Sequence, residues 1–363
     1  MTSLPIKKLA GAAALAITAS ISVAAQAGPY SALYVFGDSL SDSGNVLAAT
    51  GGAAPQSQYF LGRLSNGPNY ADRLAIGLGV AQSPFGLNPS LAPGSGATFP
   101  YGTNYAWGGA NSGPYIFPVG GLAGVPPVFR STLPDPGENP SQLQLYALAS
   151  GMVADPNALY VVWTGGGDLR DAVNYVQQGN EASAAVIGAT AVDSSLSNIS
   201  GALATLEVMG AKHVLVPNVP DLGRTPETRV WDIGTPLDLS AYATALTTEF
   251  NLQLPGVLGA FPGLGVIPFD ANAVFNELLA SPGIFTNTTD ACLSGGANSI
   301  YLPGTICASP ETWLWWDNHH ATATVHSILG ERMLAAAVPE PATYALMFAG
   351  IGVIAATVRR RKA

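Results

Sequence analysis

Four short apolar runs constrain the fold of this chain more than any other feature. Leu33–Phe36 (LYVF), Ala158–Trp163 (ALYVVW), His213–Pro217 (HVLVP) and Leu264–Phe269 (LGVIPF) are aliphatic or aromatic almost throughout, and Gly, Pro or Asp bound them. Strands without polar alternation are buried on both faces, as in a parallel sheet covered by helices. Between the runs, Ser141–Ser150, Ala182–Met209 and Ser240–Leu254 carry apolar residues at three-to-four spacing, and a last such segment, Ala321–Ala337, follows them. Strands alternating with helices predict an α/β fold: a three-layer α/β/α sandwich around a central, mostly parallel sheet. Residues 81–100 and 113–140 are rich in Gly, Pro and Ser and read as long loops.

In such a sheet, sites gather beyond the carboxyl ends of the strands. Those ends read Gly37-Asp38-Ser39 after the first run, Thr164-Gly165-Gly166-Gly167-Asp168 after the second and Asn218-Val219-Pro220-Asp221 after the third. A serine at such an end becomes a nucleophile only with a base for its proton and donors for the developing oxyanion. The chain holds four histidines. His213 opens a strand and His326 falls inside the last helix, so both read as structural. His319 and His320 lie in WLWWDNHHATATVH beside Asp317. An aspartate three residues before a histidine, in a loop entering a helix, can hold that imidazole in one tautomer. Taken alone, this spacing is a weak signal.

Both ends of the chain read as export signals. Residues 1–27 combine Lys7 and Lys8, an apolar stretch from Leu9 to Ala24 and the small-residue site Ala25-Gln26-Ala27, which is the pattern of a cleaved secretory signal peptide. Residues 338–363 run from Val338-Pro339-Glu340-Pro341 through the uncharged stretch Ala342–Val358 to Arg359, Arg360, Arg361 and Lys362. Seventeen apolar residues are at the short limit for a membrane span, and the basic cluster favours a cytoplasmic end. Without Lys7, Lys8 and the four tail cations, 8 of the 14 basic residues remain, against 22 of the 23 acidic ones, a net charge of −14. That balance argues against nucleic acid and anionic lipid surfaces as partners. The two cysteines, Cys292 and Cys307, are expected to pair as a disulfide in an oxidising compartment.

Together these pieces resemble a known family. Gly37-Asp38-Ser39-Leu40 with Ser41-Asp42-Ser43-Gly44-Asn45 looks like the first block of the GDSL (SGNH) esterases and lipases. Gly62-Arg63-Leu64-Ser65-Asn66-Gly67-Pro68, Gly102–Ala110 (GTNYAWGGA), Asn218–Gly223 and Asp317–Thr322 resemble later blocks of that family, in the same order. The resemblance implies a flavodoxin-like SGNH-hydrolase domain over 28–337. It implies Ser39 as nucleophile, His320 as general base oriented by Asp317, and the N–H groups of Ser39 and Gly109 as oxyanion donors. Ser41 and Ser43 are then turn residues. Block three departs from the pattern, because Gly167 stands where the family carries an asparagine donor. The Gly167 N–H, a water or Asn104 could stand in, and restoring the amide with Gly167→Asn is expected to raise activity if the gap is real. No G-x-S-x-G elbow surrounds Ser39, which disfavours an α/β-hydrolase elbow.

The activity implied is that of an exported carboxylic-ester hydrolase acting on a lipid, a short acyl ester or an O-acetylated polysaccharide, with no metal or organic cofactor. The other reading is a catalytically impaired surface or matrix protein on the same scaffold. The tail is similar to the PEP-CTERM sorting signal of Gram-negative bacteria, which implies an exosortase and a signal peptidase as processing partners. The chain would then be membrane-tethered before its tail is removed, and afterwards surface-bound, matrix-bound or secreted.

Overall fold

The computed structural model describes residues 29–82, 102–117, 141–281, 283–295, 300 and 302–338. The expected signal peptide 1–27, the tail beyond 338 and most of the two Gly-Pro-Ser-rich stretches lie outside the described residues. In chain order the elements are β1 (Leu33–Gly37), α1 (Asn45–Ala49), α2 (Tyr70–Leu78), α3 (Gln142–Ala149), β2 (Leu159–Trp163), α4 (Gly166–Tyr175), α5 (Ala184–Met209) and β3 (His213–Pro217). They continue with α6 (Pro226–Trp231), α7 (Leu239–Leu258), β4 (Gly265–Phe269), α8 (Ala271–Leu279), β5 (Asn287–Ala291), β6 (Leu293–Ser294), β7 (Thr305–Ile306), β8 (Trp313–Trp315) and α9 (Ala323–Ala337).

The four apolar runs form one parallel sheet in the order β1-β2-β3-β4. Beside β1, residues 103–105 add a further parallel bridge, with Val35 N–H donating to Thr103 and Tyr105 N–H donating to Val35 O. The block that follows therefore starts on the sheet's edge. Alternation along each strand feeds two separate cores, because successive side chains point to opposite faces. Phe36, Tyr160, Val162, Val214 and Val216 pack against α3, α4, α5 and α7. Leu33, Val35, Leu159, Val161, Trp163 and Leu215 pack against α2, α8 and α9. This is the expected three-layer sandwich.

A third, smaller core lies apart from the two faces. Val46, Tyr59, Leu64, Trp107, Ala110, Cys292, Leu293, Ile300 and Trp316 are buried together. Cys292 and Cys307 form the expected disulfide and close the β6–β7 hairpin. Cys292 and Leu293 donate to the carbonyls of Trp315 and Trp316, so the hairpin is stitched to the strand that leads into Asp317. His213 is half-buried against the edge of Tyr30. His326 is buried in α9, accepts the Tyr70 N–H at Nδ1, and is pushed down to about 3 by burial. Both are structural, as their positions suggested.

Candidate active site

The turn after β1 is set by its own polar groups. Asp38 Oδ1 accepts from Leu40 N–H, and Asp38 O accepts from Ser41 and Asp42 N–H, which wraps the chain tightly past Ser39. Behind it, the Gln142 side chain donates to Gly37 O and accepts from Gly37 N–H, clamping the end of β1. Asp42 then ties this turn to the neighbouring block. Its carboxylate accepts from Gly44, Asn45 and Val46 N–H, and from Gly108 N–H at 2.9 Å. Ser41 Oγ lies 2.7 Å from Tyr70 Oη, in keeping with a turn role.

Ser39 is half-buried, and its Oγ has no hydrogen-bond partner among the described residues. Its N–H and that of Gly109 are likewise unpaired there. Gly109 has φ +81°, a conformation that suits glycine and brings bare backbone to the rim. Gly167 is the second residue of α4, where helix geometry leaves the N–H without an intrahelical partner. Three N–H groups are thus available, from the turns after β1 and β2 and from the loop that follows residue 105.

Asp317 and His320 come together as their spacing suggested. Asp317 Oδ2 lies 2.7 Å from His320 Nδ1, while Oδ1 accepts from the His319 and His320 N–H groups. Tyr59 completes this shell by donating to Asp317 Oδ2 at 2.8 Å. Burial pushes the Asp317 carboxyl up, but the adjacent imidazoles and these hydrogen bonds outweigh it and hold the group below the usual carboxylate range. Burial pushes His320 below its ordinary value, and Asp317 opposes this only in part. The pair therefore rests as carboxylate and neutral imidazole. With Nδ1–H directed at Asp317, the lone pair is on Nε2. That Nε2 is buried without a partner, so it is not hydrogen-bonded to Ser39 Oγ in this conformation. Such bonds are often long without substrate.

The histidine rival has its own partners. His319 Nδ1 lies 3.4 Å from Glu227 Oε1, an ion-pair distance without hydrogen-bond geometry. Glu227 is gripped by both Arg170 Nε (2.6 Å) and Arg170 Nη2 (2.7 Å). Burial raises Glu227, but His319 and Arg170 outweigh it and hold it well below the carboxylate range. Burial raises Asp38 to about 6, against the pull of the Leu40 N–H and of His319.

The place of the block-three side chain is sterically blocked. A Cβ on Gly167 would sit 2.6 Å from Ala110 O and 2.6 Å from Asn111 Oδ1. The space a side chain would need is filled by the loop after Gly109. Asp171 holds Asn111 there at 2.9 Å, and Asp168 holds Ser112 through both its N–H and its hydroxyl. Asn104, a candidate substitute donor, is completely buried and committed to backbone at Ser41 O and Ala106 N–H. Sequence reasoning missed Tyr59, Gln142, Asn111, Arg170 and Glu227. None has a motif spacing to any partner, and Gln142 is 105 positions from the glycine it clamps.

The remaining family-like stretch joins the site from behind. Ser65 Oγ donates to Ala321 O, and Asn66 Oδ1 accepts from Ala323 N–H, capping α9 from another part of the chain. Among the described residues, no helix is long and apolar enough to cross a membrane.

Comparison with known proteins places the chain in a family. Residues 33–333 match the family model for GDSL-like lipase/acylhydrolase, and residues 337–362 match the PEP-CTERM protein-sorting motif. The chain is 32% identical over 340 residues to an uncharacterised protein from the trpE–trpG intergenic region of Pseudomonas putida, covering 89% of this chain and 50% of that protein. It is 30% identical over 356 residues to esterase EstA of Pseudomonas aeruginosa, covering 92% of this chain and 50% of that one. It is 25% identical over 309 residues to the thermolabile hemolysin of Vibrio parahaemolyticus, covering 82% and 62%. The chain spans about half the length of the first two relatives. With its blocks in family order, a family match over most of its length and a C-terminal sorting motif, the chain belongs to the GDSL-like lipase/acylhydrolase family.

Proposed function

We propose that this protein is an exported serine carboxylic-ester hydrolase that works through an acyl-enzyme on Ser39. His320 Nε2 takes the Ser39 proton as Oγ attacks the ester carbonyl, and then delivers it to the leaving alcohol. Asp317 keeps the imidazole oriented and stabilises the imidazolium that forms. Water, deprotonated by the same Nε2, attacks the acyl carbonyl, and the carboxylate and free Ser39 are released. The N–H groups of Ser39, Gly109 and Gly167 hold the oxyanion. The last replaces the family's side-chain amide and benefits from the positive end of α4. The observation that carries the reading is His320 itself: buried, neutral, fixed at Nδ1 by Asp317 and unpartnered at Nε2.

The PEP-CTERM motif implies export in a Gram-negative bacterium. We assign 1–27 to a cleaved signal peptide and 338–363 to a tail removed by an exosortase. Substrates in the envelope or matrix follow from that route: lipids, short acyl esters or O-acetylated polysaccharide. The test is labelling of the full chain with a fluorophosphonate, alongside hydrolysis of a panel of p-nitrophenyl esters. Ser39→Ala and His320→Ala should each abolish turnover, and Ser39→Ala should also abolish labelling, whereas His319→Ala should leave most of the activity. No labelling and no turnover in the wild type would instead favour a non-catalytic surface protein on this scaffold.

A further inference from the structure

We propose that His319 and His320 form a binding site for a zinc-class divalent ion, and that the bound ion switches the general base off. The two imidazoles have ring centroids 4.0 Å apart, tilted by 46°. Asp317, His319 and His320 each offer a ligand atom, all within 4.8 Å of one another. His320 is only 2% exposed, and its Nε2 has no partner. This is a buried lone pair with nothing on it.

The carboxylate behind His320 has the orientation that imidazole–metal sites use. Metal-binding imidazoles commonly direct their second nitrogen at a carboxylate, which fixes the tautomer and raises ligand basicity. His320 does so through Nδ1 to Asp317. Asp317 already accepts four donors, from Tyr59, His319 N–H, His320 N–H and His320 Nδ1, and so holds the imidazole from behind. His319 Nδ1 lies 3.4 Å from Glu227 Oε1, at ion-pair distance without hydrogen-bond geometry, and the Arg170 fork holds that carboxylate. Hydrolysis needs one such histidine. The second, His319, is left unused by the proposed reaction.

Imidazole ligands select zinc, copper or nickel over magnesium and calcium, which favour oxygen. Water would complete the coordination. An ion on His320 Nε2 holds the lone pair that would accept the Ser39 proton, so occupancy and catalysis exclude each other. The block is reversible, since no covalent bond to the protein is made or broken. The inhibitory consequence rests on the hydrolase reading, but the binding does not.

Two measurements separate these points. In the first, zinc chloride is titrated calorimetrically into chelator-treated, full-length wild type, His319→Ala and His319→Gln. Wild type should bind one ion, both variants should bind about tenfold or more weakly, and magnesium should give no comparable heat. In the second, the same proteins hydrolyse a p-nitrophenyl ester with increasing zinc. The variants should keep most of the wild-type activity without metal, yet need about tenfold or more zinc for half-inhibition, and chelator should restore wild-type activity. No zinc binding by wild type, equal binding by wild type and both variants, or equally tight magnesium binding would each overturn the proposal. A protein that binds zinc as expected but hydrolyses no ester would leave the metal site standing and refute the hydrolase reading instead.

Discussion

Gly167→Ala should damage the site far more than its small size suggests. The new Cβ would lie 2.6 Å from Ala110 O and from Asn111 Oδ1, where ordinary contact begins at 3.4 Å. The loop must therefore retreat by about 0.8 Å, and Ala110 directly follows Gly109, whose N–H is proposed to hold the oxyanion. Misplacing a reacting geometry by about 1 Å can cost about 100-fold. We expect kcat/KM on a p-nitrophenyl ester to fall about 100-fold, equivalent to about 2.7 kcal/mol. Overpacking should also lower stability by about 1–3 kcal/mol. Gly167→Asn meets the same two atoms, so it should lower activity too, contrary to the expectation that an added amide refills the hole. Gly166→Ala is the control, because its Cβ would meet nothing nearer than 3.7 Å, at Asp38 Oδ2. It should leave kcat/KM nearly intact. Wild-type activity in Gly167→Ala, or a gain in Gly167→Asn, would refute the steric account.

Three further perturbations test other parts of the site. Tyr59→Phe removes one of four donors from a buried carboxylate; a hydrogen bond to a charged group is worth about 1.5–3 kcal/mol, so kcat should fall about 10- to 100-fold, and an unchanged kcat would remove Tyr59 from the orienting shell. The base works only when neutral, and burial holds His320 below its ordinary 6.5. The acid limb of kcat/KM should therefore have its midpoint below pH 6.5, with activity lost as pH falls through it; a midpoint above 7 would contradict a desolvated imidazole. Replacing both Cys292 and Cys307 by Ala opens a loop of sequence separation 15, which should cost about 3 kcal/mol in denaturant unfolding. Activity should fall as well, since that hairpin is bonded to Trp315 and Trp316 next to Asp317; unchanged unfolding would mean the hairpin holds without its bridge.

Much of the fold is legible in local sequence because its determinants are local. The apolar runs correspond to β1 through β4 within a residue or so at each end, and His213–Pro217 matches β3 at both. Apolarity on both faces is a property of each strand alone, and period-3.6 spacing is a property of each helix. Asp317 and His320 are similarly readable, since three residues of one loop suffice to bring their side chains to 2.7 Å. The cysteine pair needed only the absence of any other thiol.

Gly167 marks where such reading ends. The chain order alone puts a glycine in the asparagine's place in block three, which reads only as a lost donor. That the place is physically occupied, by Ala110 O and Asn111 Oδ1 from a loop more than 50 positions away, emerges only from the packing. The same holds for Tyr59 on Asp317 and for Glu227 and Arg170 behind His319. Strand and helix identity follow from periodicities of a few residues. Excluded volume and buried charge pairing depend on which distant segments share the same few ångströms, and the packing of the three layers sets that.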